Sequence, residues 1–171
     1  MLKAVPSLPA RHDAGTDAAD TRQRYFEMLH LLERMHRLMM DLVKDEFERL
    51  GIETINPVQA LLLYNLGGAE VSAGELRSRG MYQGSNVSYN LKKLVAAGLV
   101  HHERSDLDRR AVRVRLTDEG EAIRATVAAL FARHADGLGM TGVLDDPPLE
   151  GVNRQMRRIE RFWSEQIRYI Y

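Results

Sequence analysis

Four arginines, Arg109, Arg110, Arg113 and Arg115, fall within seven residues of the stretch SDLDRRAVRVRLTDEG, Ser105 to Gly120. Guanidinium groups at that density suit the gripping of a polyanion, because each can donate two parallel hydrogen bonds to a phosphate. The spacing divides the four. Val112, Val114 and Leu116 alternate with Arg113 and Arg115, the period-two pattern of a strand with one buried and one solvated face. Arg113 and Arg115 therefore read first as a solvated strand face. Arg109 and Arg110 precede the strand in a polar loop that also holds Asp106 and Asp108. A second group lies upstream in SNVSYNLKKLVAAGLV. At helical spacing Val87, Leu91, Leu94 and Val95 face inward, leaving Ser85, Asn86, Ser88, Tyr89, Lys92 and Lys93 on the outer face. Small polar groups and ammonium groups on one helix face can meet base edges and phosphates in a major groove.

The chain as a whole is neutral, with 24 basic and 24 acidic residues among 171. Between Arg77 and Arg115, however, nine basic residues stand against three acidic ones. A basic module is set off by acidic surface elsewhere. Other chemistries find little support. The absence of cysteine excludes disulfides, thiol redox sensing, thiolate zinc sites and cysteine nucleophiles. There is no Gly-rich phosphate loop, no G-x-S-x-G and no H-E-x-x-H. His101 and His102 are adjacent in a strand pattern and point to opposite faces; His30 and His36, six apart, lie on different sides of a helix. No catalytic residue, metal ligand or cofactor is expected. No apolar run approaches a membrane span and the N-terminus lacks a signal pattern, so no membrane association and a cytoplasmic residence are the default expectations.

The positioning elements follow from capping signals and periodicity. Residues 1–19 are Pro/Ala/Asp-rich and read as a disordered arm. Asp20 with Gln23 resembles a capping box that starts a helix ending near Gly51. Met28, Leu32, Met35, Met39 and Leu42 form a heptad-like seam on it, widened by Leu29, Leu31, Leu38 and Val43. This is either an amphipathic core helix or one that also packs on a second subunit. Asn56 and Pro57 start a second helix with Val58, Leu61, Leu62 and Leu66 buried, stopped at Gly67 and Gly68. Ser72 with Glu75 opens a short helix closed by Gly80, and another runs from about Ser85 to Ala97, closed by Gly98. Two strands joined by a polar tip, Ser105 to Arg110, make a hairpin. Thr117 caps a further helix with Ile123, Val127, Leu130 and Phe131 on its apolar face. DGLGMTGVLDDPP breaks the chain, and Asp146 and Pro147 start a last helix with Leu149, Val152, Met156, Ile159 and Trp163 in a seam.

The order helix, helix, helix, hairpin is that of a winged helix. The expected fold is mainly α with a small β-hairpin wing, a winged helix-turn-helix domain flanked by N- and C-terminal dimerisation helices. Its parts are the arm (1–19), an N-terminal dimerisation helix (20–55), the DNA-binding domain (56–117) and C-terminal dimerisation helices (118–171).

SDLDRRAVRVRLTDEG resembles the wing signature of the MarR (multiple antibiotic resistance regulator) family: an acidic residue, a short spacer, Asp-x-Arg, an alternating strand ending Leu-Thr, and a Gly three residues after the Thr. NVSYNLKKLVAAGLV is similar to that family's recognition helix, and the resemblance spans roughly Asn56 to Gly120. It implies a symmetric dimer in which Asp108 orients Arg110 and Arg110 reaches into the minor groove, with Arg109 beside it. Tyr89 stands where the family often has Arg; a tyrosine can donate to a phosphate or pack on a thymine methyl. The resemblance also implies a small aromatic or anionic effector between the dimer helices and the DNA-binding lobe. Candidate lining residues are Met35, Met39, Leu61 and Tyr64, with His36 or Arg34 as polar handles, although the methionines read first as core filler. The function expected is that of a sequence-specific duplex-DNA-binding regulator, a repressor by default, working as a homodimer on a pseudo-palindromic operator. The alternatives are a winged helix that binds an acidic protein partner and, further off, a metal-dependent sensor or small enzyme.

Overall fold

The computed structural model describes residues 14–67, 71–72, 84–104, 112–145 and 148–170. The helix expected between Ser72 and Gly80, beyond Ser72 itself, lies outside the described residues. So do the hairpin tip with Asp108, Arg109 and Arg110, and the expected helix start at Asp146 and Pro147. The chain divides into two compact units, one ending at Gly51 and one beginning at Ile52.

The first unit is described as one helix, α1, Ala14–Leu50. It begins six residues before the expected start at Asp20. The Asp20 carboxylate accepts from Arg24 one turn on, at 2.7 Å, and so serves a helix-interior ion pair instead of capping. Alanines 14, 18 and 19, the best helix formers, extend the helix backwards through residues expected to be disordered. At the other end Gly51 takes φ 68°, the left-handed conformation that ends a helix cheaply only with glycine. Val43, Glu46 and Phe47 are buried, and both Glu46 carboxylate oxygens accept from Arg49 at 2.9 Å. Much of the seam is exposed: Met35 and Leu38 by more than half, with Leu31 and Leu42 also open, while Met28, Leu32 and Met39 are half-buried.

The second unit opens with α2, Pro57–Leu66. The Asn56 side chain accepts from the Gln59 N–H at 2.9 Å, and Gln59 Oε1 accepts from the Asn56 N–H at 3.1 Å. Asn56 and Gln59 thus form a reciprocal capping box, with Pro57 at the first helical position. Ala60, Leu61, Leu62, Leu63 and Leu66 are buried, so nearly the whole circumference of α2 is core. Next come β1 (Val71–Ser72), α3 (Gly84–Ala96), β2 (Val100–Arg104), β3 (Val112–Leu116), α4 (Asp118–Met140) and α5 (Leu149–Ile170). The sheet is antiparallel with order β1-β3-β2, one strand more than the expected hairpin. Two residues, Val71 and Ser72, are too few for a period to register in sequence; they pair with Val114 and Arg113.

α2 packs on α4, where the Tyr64 and Phe131 rings meet edge to face at 5.3 Å. Leu91, Leu94, Leu99, Val100, Val114, Val127 and Leu130 complete the core. Val95, expected to face inward, is 38 % exposed. It lies about 100° round the helix from Leu94, past the edge of the narrow stripe that the last turn buries. The break expected from Asp136 begins only after Met140. Gly137 and Gly139 weaken a helix by about 1 kcal/mol each without stopping it; the turn is made by Thr141–Asp145, with Gly142 at φ 68°. α5 carries the expected seam, with Leu149, Val152 and Met156 exposed and Ile159 and Trp163 half-buried; Phe162 and Ile167 are also more than half exposed.

Candidate nucleic-acid interface

α3 has two sides. Leu91 and Leu94 are buried, whereas Ser88, Tyr89, Lys92 and Lys93 are exposed. Ser85 and Asn86 lie in its first turn, and their side chains fall outside the described ones. The helix ends in a Schellman motif. The Leu99 N–H donates to the Leu94 carbonyl at 3.0 Å, the Gly98 N–H donates to the Val95 carbonyl at 3.0 Å, and Gly98 holds φ 73°.

That same turn is the seat of α4. The Thr117 N–H donates to the Leu99 carbonyl at 3.1 Å, and Thr117 Oγ1–H donates to the Gly98 carbonyl at 2.8 Å. Thr117 Oγ1 also accepts from the Gly120 N–H at 3.0 Å, which makes it the N-cap of α4. Gly120 lies so close to Leu99 that a Cβ there would stand 2.0 Å from the Leu99 carbonyl oxygen. The motif's Gly three residues after the Thr is thus a requirement of close backbone approach. Asp118, Glu119 and Glu121 occupy the first turn of α4, where the helix dipole favours anions. Glu121 accepts from Arg124 Nε at 2.8 and 2.9 Å, and this bond holds the Glu121 carboxyl below its ordinary pKa and raises that of Arg124.

The hairpin carries the next group. Val114 is fully buried while Arg113 and Arg115 are exposed, as the alternation predicts. The register sets Arg113 opposite Glu103 and Arg115 opposite His101, so Arg113 faces an acidic position across the ladder. That placement suits a solvated strand face. Asp108, Arg109 and Arg110 fall between the two strands in sequence and lie outside the described residues.

One contact within the face goes beyond what periodicity lists. Tyr89 and Lys93 are four residues apart on α3, and the Lys93 ammonium stands over the Tyr89 ring at 5.7 Å. The four-residue spacing is the signal that could have found it. The effector candidates divide between the units. Arg34, Met35 and His36 are exposed on α1 and Met39 is half-buried, whereas Leu61 is buried in α2 and Tyr64 is engaged with Phe131. Arg34 lines a shallow open depression on α1 with Phe26, His30 and Leu31. No group of three or more potential metal ligands occurs among the described residues, and no described helix is long and apolar enough to cross a membrane.

A helix with one buried side, closed by a Schellman turn onto an antiparallel hairpin and followed at once by a capped helix, defines a winged-helix protein. Comparison with known proteins gives the class a family. The MarR family model matches residues 53–111. The exopolysaccharide II synthesis transcriptional activator ExpG of Rhizobium meliloti (strain 1021) is 35 % identical over 153 residues, 90 % of this chain and 78 % of that protein. The chain belongs to the MarR family. Among solved structures, a MarR transcriptional regulator from Methanosarcina mazei Go1 superposes with a TM-score of 0.64 at 18 % identity, over 81 % of this chain and 96 % of that one. Overoxidized AbfR bound to DNA gives 0.59 at 16 % identity, over 83 % and 98 %. At such identities these two speak for the fold alone.

Proposed function

We propose that this protein is a transcriptional regulator that binds duplex DNA sequence-specifically as a homodimer. The observation that carries the reading is the two-sided α3. Its apolar side is locked into the core by Leu91 and Leu94, while Ser88, Tyr89, Lys92 and Lys93 are offered outward beside the hairpin. Ser85 and Asn86 join them in the major groove, and the hairpin tip enters the minor groove with Arg110, oriented by Asp108 and flanked by Arg109. A narrow A·T-rich minor groove attracts an inserted arginine electrostatically. AbfR, of the same fold, has been solved bound to DNA, which supports this use of the winged helix.

The exposed seams of α1 and α5 support a second copy as partner. A monomer leaves Met35 and Leu38 on the one helix, and Met156, Phe162 and Ile167 on the other, open to water. Residues 20–55 and 118–171 dimerise in this reading, and 56–117 bind DNA. A two-fold dimer sets its recognition helices one DNA turn apart, about 34–36 Å, and so reads a pseudo-palindrome. A small aromatic or anionic effector acts by preferring one dimer geometry over the other. The protein works in the cytoplasm and performs no catalysis.

Repression by occluding polymerase is the simplest output of a dimer seated on a promoter. The 35 % identity to a transcriptional activator favours a second reading, activation from a site beside the polymerase. A reporter fused to the bound promoter, with and without the regulator, separates the two by the sign of the change. The binding reading itself is tested by titrating full-length protein onto random and selected duplexes at several salt concentrations. Affinity that falls steeply with salt, with a selected site held well above random DNA, is the expected result. No binding at low salt overturns the reading in favour of a protein-binding winged helix.

A further inference from the structure

Tyr89 is 60 % exposed in the middle of a polar and basic helix face, while Lys93 one turn on holds its ammonium over the ring at 5.7 Å. A large apolar ring on a surface built for polar contacts is the informative exception to ordinary surface composition. The cation limits how the ring can turn, since leaving the ring face forfeits the attraction of its quadrupole. One face of the ring is occupied by the ammonium, and the other face and edge point away from it. The major groove offers such a surface one apolar group, the C5 methyl of thymine. A lysine held against the ring keeps its N–H donors for the neighbouring phosphate or purine edge, so ring and ammonium address adjacent positions.

We infer that Tyr89 is a specificity-determining residue that reads a thymine methyl in each half-site through its ring, with Lys93 as the positioning residue that orients the ring. This rests on the DNA-binding reading and decides between two uses of the tyrosine. The hydroxyl is dispensable, and the ring is not.

The test starts from duplexes selected by the full-length parent protein out of a random pool. Each thymine of the selected site is then replaced by uracil, which removes the methyl and leaves every hydrogen-bonding group. One symmetry-related pair of thymines is expected to respond. Loss of the methyl there weakens parent binding about fourfold for one half-site and about fifteenfold for both. Y89A, checked for folding by circular dichroism, binds thymine and uracil duplexes alike, while Y89F discriminates as the parent does. K93M discriminates less than the parent. A parent that responds to no uracil replacement overturns the inference without touching the DNA reading. A Y89F variant that loses discrimination assigns Tyr89 to a hydroxyl contact and overturns it too. A K93M variant with full discrimination removes the positioning role. Failure of the parent to enrich any duplex removes the DNA reading itself.

Discussion

Gly120→Ala places one methyl where the geometry leaves no room. The Cβ would stand 2.0 Å from the Leu99 carbonyl oxygen and 3.0 Å from its carbon, and a separation of at least 3.0 Å from the oxygen is needed before the contact is tolerable. Both sides of the contact are backbone, so no rotamer change relieves it. α4 must lift off the Gly98–Leu99 turn by about an ångström, and the bonds at 3.1 Å (Thr117 N–H to Leu99 O) and 2.8 Å (Thr117 Oγ1–H to Gly98 O) stretch with it. Overpacking costs about 1–3 kcal/mol and each weakened hydrogen bond about 0.5–1.5 kcal/mol. Replacing glycine by alanine in a helix returns up to about 1 kcal/mol. At mid-range values the net expectation is a loss of about 3 kcal/mol, or roughly 6–12 °C in Tm for a chain of this length. Urea unfolding followed by circular dichroism measures it, with an unchanged m-value showing that the transition still exposes the same surface. Gly137→Ala is the internal control. It introduces the same methyl in the same helix with nothing within 4 Å, and it should be neutral or stabilising by up to about 1 kcal/mol. If the two variants proved equally stable, the close packing of α4 on the end of α3 would be refuted.

Three further outcomes follow from the geometry, and a fourth from the proposed DNA-binding reading. Thr117→Ala deletes the N-cap of α4 together with the bond to Gly98 O, and denaturant melts should show a loss of about 1–2 kcal/mol. Asn56→Ala, which breaks the α2 capping box, should cost about 0.5–2 kcal/mol in the same assay. The Glu121 carboxyl is held below its ordinary value of 4.5 by Arg124, so its stabilising effect is complete at neutral pH and is lost as pH falls through the depressed pKa; the stability gap between parent and Glu121→Gln should close on acidification below about pH 4.5, and a gap that widened there would reverse the assigned sign. Arg110→Ala should weaken binding across many duplex sequences and flatten the plot of log K against log salt by about one unit, as filter binding at several salt concentrations would record.

The helices with strong caps and one dominant period are legible in the order of residues alone. Asn56–Pro57, Thr117 and the closing glycines 51, 67 and 98 each state a boundary by a local steric rule, and each boundary falls where that rule puts it. Sequence and structure part where a local signal is ambiguous. Asp20 can cap a helix or pair with Arg24 inside one, and the choice turns on whether the residues before it are helical. Gly137 and Gly139 mark weakness in a helix, which packing overrides. β1 owes its existence to a ladder with β3, some 40 residues on, and leaves no local trace. The outer face of α3 follows from periodicity. That Tyr89 and Lys93 act on one another, and that Gly120 is pressed against Leu99, are facts of distance that residue type alone does not carry.

The joint at Gly98 and Leu99 ties these points to function. Within four residues the chain ends the helix with the polar face, begins the first strand of the hairpin, and supplies both carbonyls on which Thr117 seats α4. These three elements therefore cannot tilt independently by more than the slack of a few hydrogen bonds. A displacement of α4 reaches α3 and the hairpin together, through backbone bonds and the one short Thr117 side chain, with no long side chain that could repack. This follows from the short span and from the absence of room at Gly120, where even one methyl is excluded. Under the proposed DNA-binding reading, in which α3 and the hairpin address two grooves at once, coupling them at a single joint makes the pair respond as one body. Under that same reading, a change in dimer geometry that reached α4 would move both contacts out of register in the same step, in place of loosening them one at a time.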